Sequence, residues 1–243
     1  MSYLAFLIFF VVVPALILAV AAWIRAKRRD HLKLLRWHWI GTGILALIAF
    51  LWTTPWDNYI VANGVWSYGE ERVIAVVGYV PIEEYLFFIL MPLLNSAFFA
   101  LFFLGTPPPT PSFKSSQKRS RLLLSFASLL IFGIFTFLLS REPFTYLATT
   151  IVWFLPPLWI QWVFNPGYLR KTVAAVAVST LVPATYLCLA DAWAIHDGIW
   201  TIHVATRTGW HIGGLPFEEA FFFFITSLLL AQGLTLWHSL RST

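Results

Sequence analysis

Seven stretches of this chain are so long and so apolar that they belong inside a bilayer, and this limits the fold before any motif is read. They cover roughly residues 2–24, 38–55, 80–104, 121–140, 144–164, 172–190 and 215–237. A helix needs about 17 to 25 apolar residues to cross the hydrocarbon. Lipid offers no partner to backbone N–H and C=O groups, so self-satisfied helices are the expected elements. The alternating apolar–polar period of a membrane strand is absent. With 59% hydrophobic and 11% charged residues, the sequence predicts an all-α integral membrane protein. The first stretch contains Ala19-Val20-Ala21, which resembles a cleavage site. Basic residues follow this stretch rather than precede it, so a retained helix is expected.

The net charge of +5 is explained by topology rather than by nucleic acid, which is not an expected partner. Arg25, Lys27, Arg28, Arg29, Lys33 and Arg36 follow the first stretch. Lys114, Lys118, Arg119 and Arg121 separate the third from the fourth, Arg170 and Lys171 the fifth from the sixth, and Arg241 follows the seventh. With seven spans all 13 fall on one side, leaving Arg72, Arg141 and Arg207 on the other. Basic loops favour the cytoplasm, which predicts a multi-pass cell-membrane protein with its N-terminus outside and its C-terminus inside. Membrane lipids, including anionic ones, are natural partners of such loops.

The chain also repeats itself. Tyr3-Leu4-Ala5 and Pro14 recur as Tyr146-Leu147-Ala148 and Pro157. Asp57, Gly64 and Trp66 recur as Asp191, Gly198 and Trp200. Pro81, Glu83, Glu84, Phe87 and Phe88 recur as Pro216, Glu218, Glu219, Phe222 and Phe223. A three-helix unit ends on the side opposite its start, so one added helix restores the orientation of the second unit. The fourth stretch has no repeat partner and follows the Pro/Ser/Lys-rich segment TPPPTPSFKSSQKRSR, which cannot continue a helix. The expected architecture is therefore 3+1+3 with parallel repeats. Its parts are a first unit over 1–104, a basic linker and connecting helix over 105–143, and a second unit over 144–243.

Both copies of Pro-x-Glu-Glu-x-x-Phe-Phe open a long apolar run. Ionisable residues within membrane spans are costly and by default mark function. Proline suits the start of a helix, which puts Glu83, Glu84, Glu218 and Glu219 in first turns at the outer end. Helix dipole and hydrocarbon act in opposite directions on such carboxyls, an arrangement suited to acid–base work. Neighbouring helical residues point about 100° apart, so the two glutamates of a motif face different surroundings.

Aromatic residues make up 18% of the chain. Phe87, Phe88, Phe222 and Phe223 follow the acids, and ring faces stabilise a cation without trapping it. The outer loops carry Asp57 with Asn63-Gly64-Val65-Trp66, and Asp191 with Asp197-Gly198-Ile199-Trp200. Their glycines predict turns, and their acids either orient a motif glutamate or cap a short helix. His196, His203 and His211 share the second loop with Asp191 and Asp197. The first loop has no histidine, so the repeat does not support a metal site. Cys188 is the single cysteine, which excludes an internal disulfide and a multi-cysteine metal site.

The duplicated PIEE and PFEE motifs with their Phe pairs, the NGVW and DGIW loops and the tandem three-helix units resemble the lycopene cyclase domain family of bacteria, archaea and fungi. The resemblance covers nearly the whole chain. It implies a non-redox isomerase of carotenoid biosynthesis, a lycopene β-cyclase that turns linear lycopene through γ-carotene into β-carotene by way of carbocations. It also implies no soluble cofactor, and no Gly-x-Gly-x-x-Gly or phosphate-loop signature is present. Catalytic roles then fall on Glu83, Glu84, Glu218 and Glu219. Supporting or substrate-binding roles fall on Asp57, Asn63, Trp66, Phe87, Phe88, Asp191, Asp197, Trp200, Phe222 and Phe223. The expected partner is a lipophilic polyene drawn from the bilayer. One composite site and two separate sites both fit. So do a cyclase for a C50 carotenoid or another ring type and, from another class, a proton-coupled transporter. A retinal protein does not fit, because every lysine lies in or beside a loop.

Overall fold

A computed structural model describes residues 1–105 and 116–241. Lys114 of the expected basic linker lies outside them. Seven helices among the described residues are long and apolar enough to cross a membrane. They are α1 (Tyr3–Arg28), α2 (Leu32–Ala62), α3 (Ile82–Phe103), α4 (Ser116–Leu138), α5 (Thr145–Phe164), α6 (Val173–His196) and α7 (Phe217–Ser239). A short helical turn, Pro166–Lys171, links α5 to α6.

Five of these helices contain prolines. In α1 a π-helical stretch, Ile8–Val12, runs up to Pro14. The wider turn absorbs the missing N–H and the ring bulk. Pro55 lies inside α2, Pro92 inside α3 and Pro183 inside α6.

The second span differs most from expectation. Instead of 38–55, α2 runs for 31 residues, about 46 Å at the helical rise. Lys33 and Arg36 are part of its first turns, because long basic side chains reach water while their stems stay on apolar surface. At the other end the helix continues to Ala62. Asp57, expected in a loop, is therefore helical and fully buried, and Asp191 is likewise inside α6 and buried. Keeping the backbone paired inside the bundle outweighs ending the helix at the first acid.

The end of the bundle where α7 finishes is closed by a polar cluster. His38 Nδ1 lies 3.0 Å from His238 Nε2, and His38 Nε2 lies 2.7 Å from the Ser96 hydroxyl. Thr42 bonds the same hydroxyl, and the Phe99 ring is near-parallel to both imidazoles. Trp37 and Trp237 stack at 4.3 Å beside them. These contacts join α2, α3 and α7. Arg25 donates to the Leu101 carbonyl at this end, tying α1 to α3.

The opposite end is built from short strands that the sequence did not announce. After α2 come β1 (Trp66–Tyr68), β2 (Val76–Val77) and β3 (Val80–Pro81). After α6 come β4 (Trp200–Ile202), β5 (His211–Ile212) and β6 (Leu215–Pro216). β2 with β3 and β5 with β6 form tight antiparallel hairpins that lead directly into α3 and α7. β1 and β4 pair with each other, Trp66 opposite Ile202 and Tyr68 opposite Trp200. The loop after α2 is thus laddered to the loop after α6.

Glycines 64 and 198 mark where the long helices stop. Each has positive φ, +69° and +72°, in the left-handed region that glycine adopts without a Cβ clash. Gly64 N–H donates to Val61 and Val65 N–H to Ile60; Gly198 donates to Ile195 and Ile199 to Ala194. This is the paired bonding of a Schellman-type helix end, and it turns Trp66 and Trp200 back over the bundle.

Candidate active site

The two acidic motifs emerge from equivalent surroundings. Pro81 and Pro216 are the extended N-cap residues of α3 and α7, one position earlier than the first-turn placement expected. The glutamates are then the second and third residues of each helix, and their side chains diverge. Glu83 Oε1 accepts the Ile74 N–H at 2.8 Å. Glu218 Oε1 accepts the Thr208 N–H at 2.7 Å and its hydroxyl at 2.6 Å. The first glutamate of each pair therefore ties down the loop before its own helix. Its second oxygen is buried without a hydrogen bond.

Glu84 and Glu219 point the other way, into one shared cavity. Glu84 Oε2 accepts from the Tyr3 hydroxyl, and from the Tyr68 hydroxyl at 3.3 Å. Glu219 Oε1 accepts from Trp66 Nε1 at 2.9 Å and from the Tyr146 hydroxyl at 2.8 Å. In each carboxyl one oxygen is held by two donors, and the other takes no part in these bonds. Burial, and then the Glu84 carboxyl beside it, push the Tyr68 phenol well above its usual range, so Tyr68 remains a proton donor at any physiological pH.

Strand geometry explains how β1 serves the site. Residues two apart on a strand share a face. Trp66 and Tyr68 both face the cavity while Ser67 between them is exposed. Opposite Tyr68, Trp200 also lines the cavity, and its Nε1 donates to Asp191 Oδ1 at 3.0 Å. The remaining walls are Phe6 of α1, Phe87 of α3, Leu187 of α6, and Phe222 and Phe223 of α7. Phe87 meets Phe223 edge-on at 6.2 Å, and Phe222 stacks on Trp56 at 5.4 Å. The free space is about 30 Å³, on the scale of a water molecule. Two carboxyls, fixed O–H and N–H donors and a wall of rings equip it to give and take a proton beside a cation.

Of the residues expected in supporting roles, Trp66, Phe87, Asp191, Trp200, Phe222 and Phe223 line this cavity. Phe88 does not; it belongs to a neighbouring groove. Asp57 is fully buried behind the site, with both oxygens lacking hydrogen bonds. Asn63 lies outside, an exposed C-cap whose amide donates to the Tyr59 carbonyl. Asp197, the C-cap of α6, is also at the surface. It pairs with the Met1 ammonium at 2.6 Å and with Arg72 at 3.3 Å. Arg72 also donates to the Met1 carbonyl, so this clamp fixes the start of α1 two residues before Tyr3. The hydrogen bond from the terminal ammonium is the main reason that the Asp197 carboxyl is held below its usual range, with Arg72 adding to it.

Tyr3, Tyr68 and Tyr146 were missed as site residues. Tyr3 and Tyr146 head the repeated Tyr-Leu-Ala, so the repeat carried a signal. Their hydroxyls act on acids 81 and 73 residues away, and no local pattern connects positions so far apart. Among the described residues no group of three His, Cys, Asp or Glu is placed to hold a metal ion.

A family model described as lycopene cyclase matches residues 1–102 and 143–236. The chain is 39% identical to a lycopene beta-cyclase of Halobacterium salinarum over 236 residues, which cover 97% of this chain and 95% of that protein. It is 36% identical to a bifunctional lycopene cyclase/phytoene synthase of Phycomyces blakesleeanus, over 76% of this chain and 32% of that protein. To the bifunctional lycopene cyclase/phytoene synthase of Blakeslea trispora it is 33% identical, over 95% of this chain and 38% of that protein. No solved structure matches.

Proposed function

This chain belongs to the lycopene cyclase family, and from that premise we propose that it is a lycopene β-cyclase, closing the ends of linear lycopene by way of γ-carotene to β-carotene. The reaction is an isomerisation. A carboxylic acid gives its proton to the terminal double bond of the polyene. The next alkene attacks the tertiary cation so formed, and the new carbon–carbon bond closes a six-membered ring. A carboxylate then removes a proton from the ring cation and restores a double bond. One proton is added and one is lost, so nothing is oxidised or reduced.

The observation that carries this reading is the convergence of Glu84 and Glu219 on one aromatic-walled cavity. We assign these two as the pair that exchanges protons with the polyene, in a single composite site. Tyr3 and Tyr68 orient Glu84; Trp66 and Tyr146 orient Glu219. Glu83 and Glu218 hold the loops that seat them, a narrower role than direct chemistry. The rings of Phe87, Phe222, Phe223 and Trp200 face the developing positive charge and stabilise it through their π faces.

The polyene reaches the site from the bilayer, its natural solvent. The distribution of basic residues supports an outer N-terminus and a cytoplasmic C-terminus, with the acids near the outer face. The same order of helices, strands and hairpin occurs before and after α4, and the family match falls in two segments around it. Both support two parallel three-helix units, 1–104 and 144–243, joined by 105–143.

Expression in a lycopene-accumulating host, followed by pigment chromatography, tests the reading. The chain is expected to convert lycopene to β-carotene, and Glu84→Gln or Glu219→Gln to stop it with the protein still in the membrane. Full conversion by the double variant would remove the assigned pair.

A further inference from the structure

Beside the acid cavity lies a second, larger hollow that the chemistry above leaves unused. It has a volume of about 100 Å³ and runs between α2 and α5, with α3 and α7 as its floor. Phe87 and Phe222 line both hollows. From Phe222 to Leu230 the groove follows α7 for eight residues, about 12 Å at the helical rise. Its mouth opens sideways rather than towards either aqueous face. Ile48 and Trp52 of α2 line it and are 52% and 39% exposed on the bundle's flank, where lipid lies. The outer lip is fixed by two reciprocal hydrogen bonds, Trp52 Nε1 to the Trp153 carbonyl at 3.2 Å and Trp153 Nε1 to the Trp52 carbonyl at 2.8 Å. The Thr226 hydroxyl on its wall is spent on the Phe222 carbonyl, and the Gln161 amide N–H on Leu229.

We propose that this groove is the binding site for the unreacted half of the polyene, and that Phe87 and Phe222 form the sill between it and the acids. The inference rests on the cyclase reading and extends it to where the rest of the substrate lies. An apolar chain whose end sits between Glu84 and Glu219 must leave the cavity somewhere. This neighbouring hollow shares two of its walls, is lined mostly by apolar side chains with Thr53, Gln161 and Thr226 among them, and opens to hydrocarbon. The groove is shorter than an extended linear polyene, so the far end projects through the mouth beside Ile48 and Trp52.

The two ends of the substrate meet this groove differently. In the first round it holds a slim linear chain. Before the second, the ring just formed at the acids has to leave along the groove so that the substrate can be reversed. Groove width therefore sets how readily a one-ring product becomes a two-ring product.

Ala49, on the groove wall and away from both acids, provides the test. Ala49→Phe narrows the groove; Leu45→Ala, on the same wall, reopens it. In a lycopene-accumulating host, Ala49→Phe is expected to raise the ratio of monocyclic to bicyclic product by about tenfold, the usual effect of misfit in an apolar pocket. Adding Leu45→Ala is expected to bring the ratio back towards that of the natural chain. An unchanged ratio in Ala49→Phe would overturn the proposal, as would complete loss of cyclisation that Leu45→Ala does not relieve, at equal protein in the membrane. If the unaltered chain forms no cyclic product at all, it is the cyclase reading that fails.

Discussion

The indole N–H of Trp66 donates to Glu219 Oε1 at 2.9 Å, across 153 residues of sequence. A strand that follows α2 thus orients the acid that opens α7. Trp66→Phe keeps the ring in the cavity and removes only this donor. A hydrogen bond of this kind is worth about 0.5–1.5 kcal/mol, so cyclisation rates measured in membranes are expected to fall by roughly 2- to 10-fold, with the amount of folded protein unchanged.

Tyr146 acts on the same oxygen as Trp66. Tyr146→Phe alone is expected to cost about 1–2 kcal/mol in activation free energy. Combined with Trp66→Phe it should cost less than the sum of the single effects, because both donors serve one acceptor. A double-mutant cycle on initial rates checks this; strict additivity would mean that the two residues act independently.

The divergence within each motif separates stability from chemistry. Glu218→Gln keeps an oxygen able to accept from the Thr208 N–H but puts an amide NH2 where the buried, unbonded second oxygen lay. It is expected to lower thermal stability by about 1–3 kcal/mol while two-ring product still forms. Glu219→Gln is expected to do the reverse, with little change in melting and no product. Parallel melting curves and pigment analysis distinguish the two outcomes.

The pH response of the clamp at Met1 follows from Asp197. Its carboxyl is held below the usual range by the Met1 ammonium first and then by Arg72. A lowered folded value means the folded chain carries fewer protons than the unfolded one. The stabilisation is then fully present above the ordinary aspartate range and is lost as pH falls through the lowered value. Asp197→Asn is expected to melt below the natural chain at neutral pH and to converge with it in acid. A difference that grows in acid would contradict the clamp.

At the end of the bundle where α7 finishes, His38→Ala removes the side chain that joins His238 to Ser96. The orphaned partners predict a loss of about 1–3 kcal/mol in stability. The acids lie at the opposite end of the bundle, so the ratio of one-ring to two-ring product should be that of the natural chain. Chromatography of pigments at matched protein levels checks this.

The spans and the acidic motifs were readable in the sequence because both depend on local pattern. Apolar length alone sets a membrane helix, and Pro-x-Glu-Glu recurs as a string. The division of work between Glu83 and Glu84 was not readable; it depends on which loop lies over which face of α3. Nor were the strands. β2 and β3 are two residues each, too short to show a period. The ladder from Trp66 to Ile202 is a contact between distant loops. Asn63 and Asp197 enter the expected site because they open the NGVW and DGIW strings that carry the family resemblance. In the fold they end helices, and the turn itself, with Gly64 and Gly198 in left-handed geometry, is what the spacing encoded.

Glu84 receives both of its phenols from residues before α4, whereas Glu219 borrows its indole from there. The dependence runs the other way too, because Tyr68 rides on a strand whose partner is β4 and Tyr3 follows a clamp made by Asp197. Cut into two polypeptides, the chain would release one fragment whose acid lacks a donor and another whose donors lack their support. Any lineage that separates such halves must therefore keep them meeting.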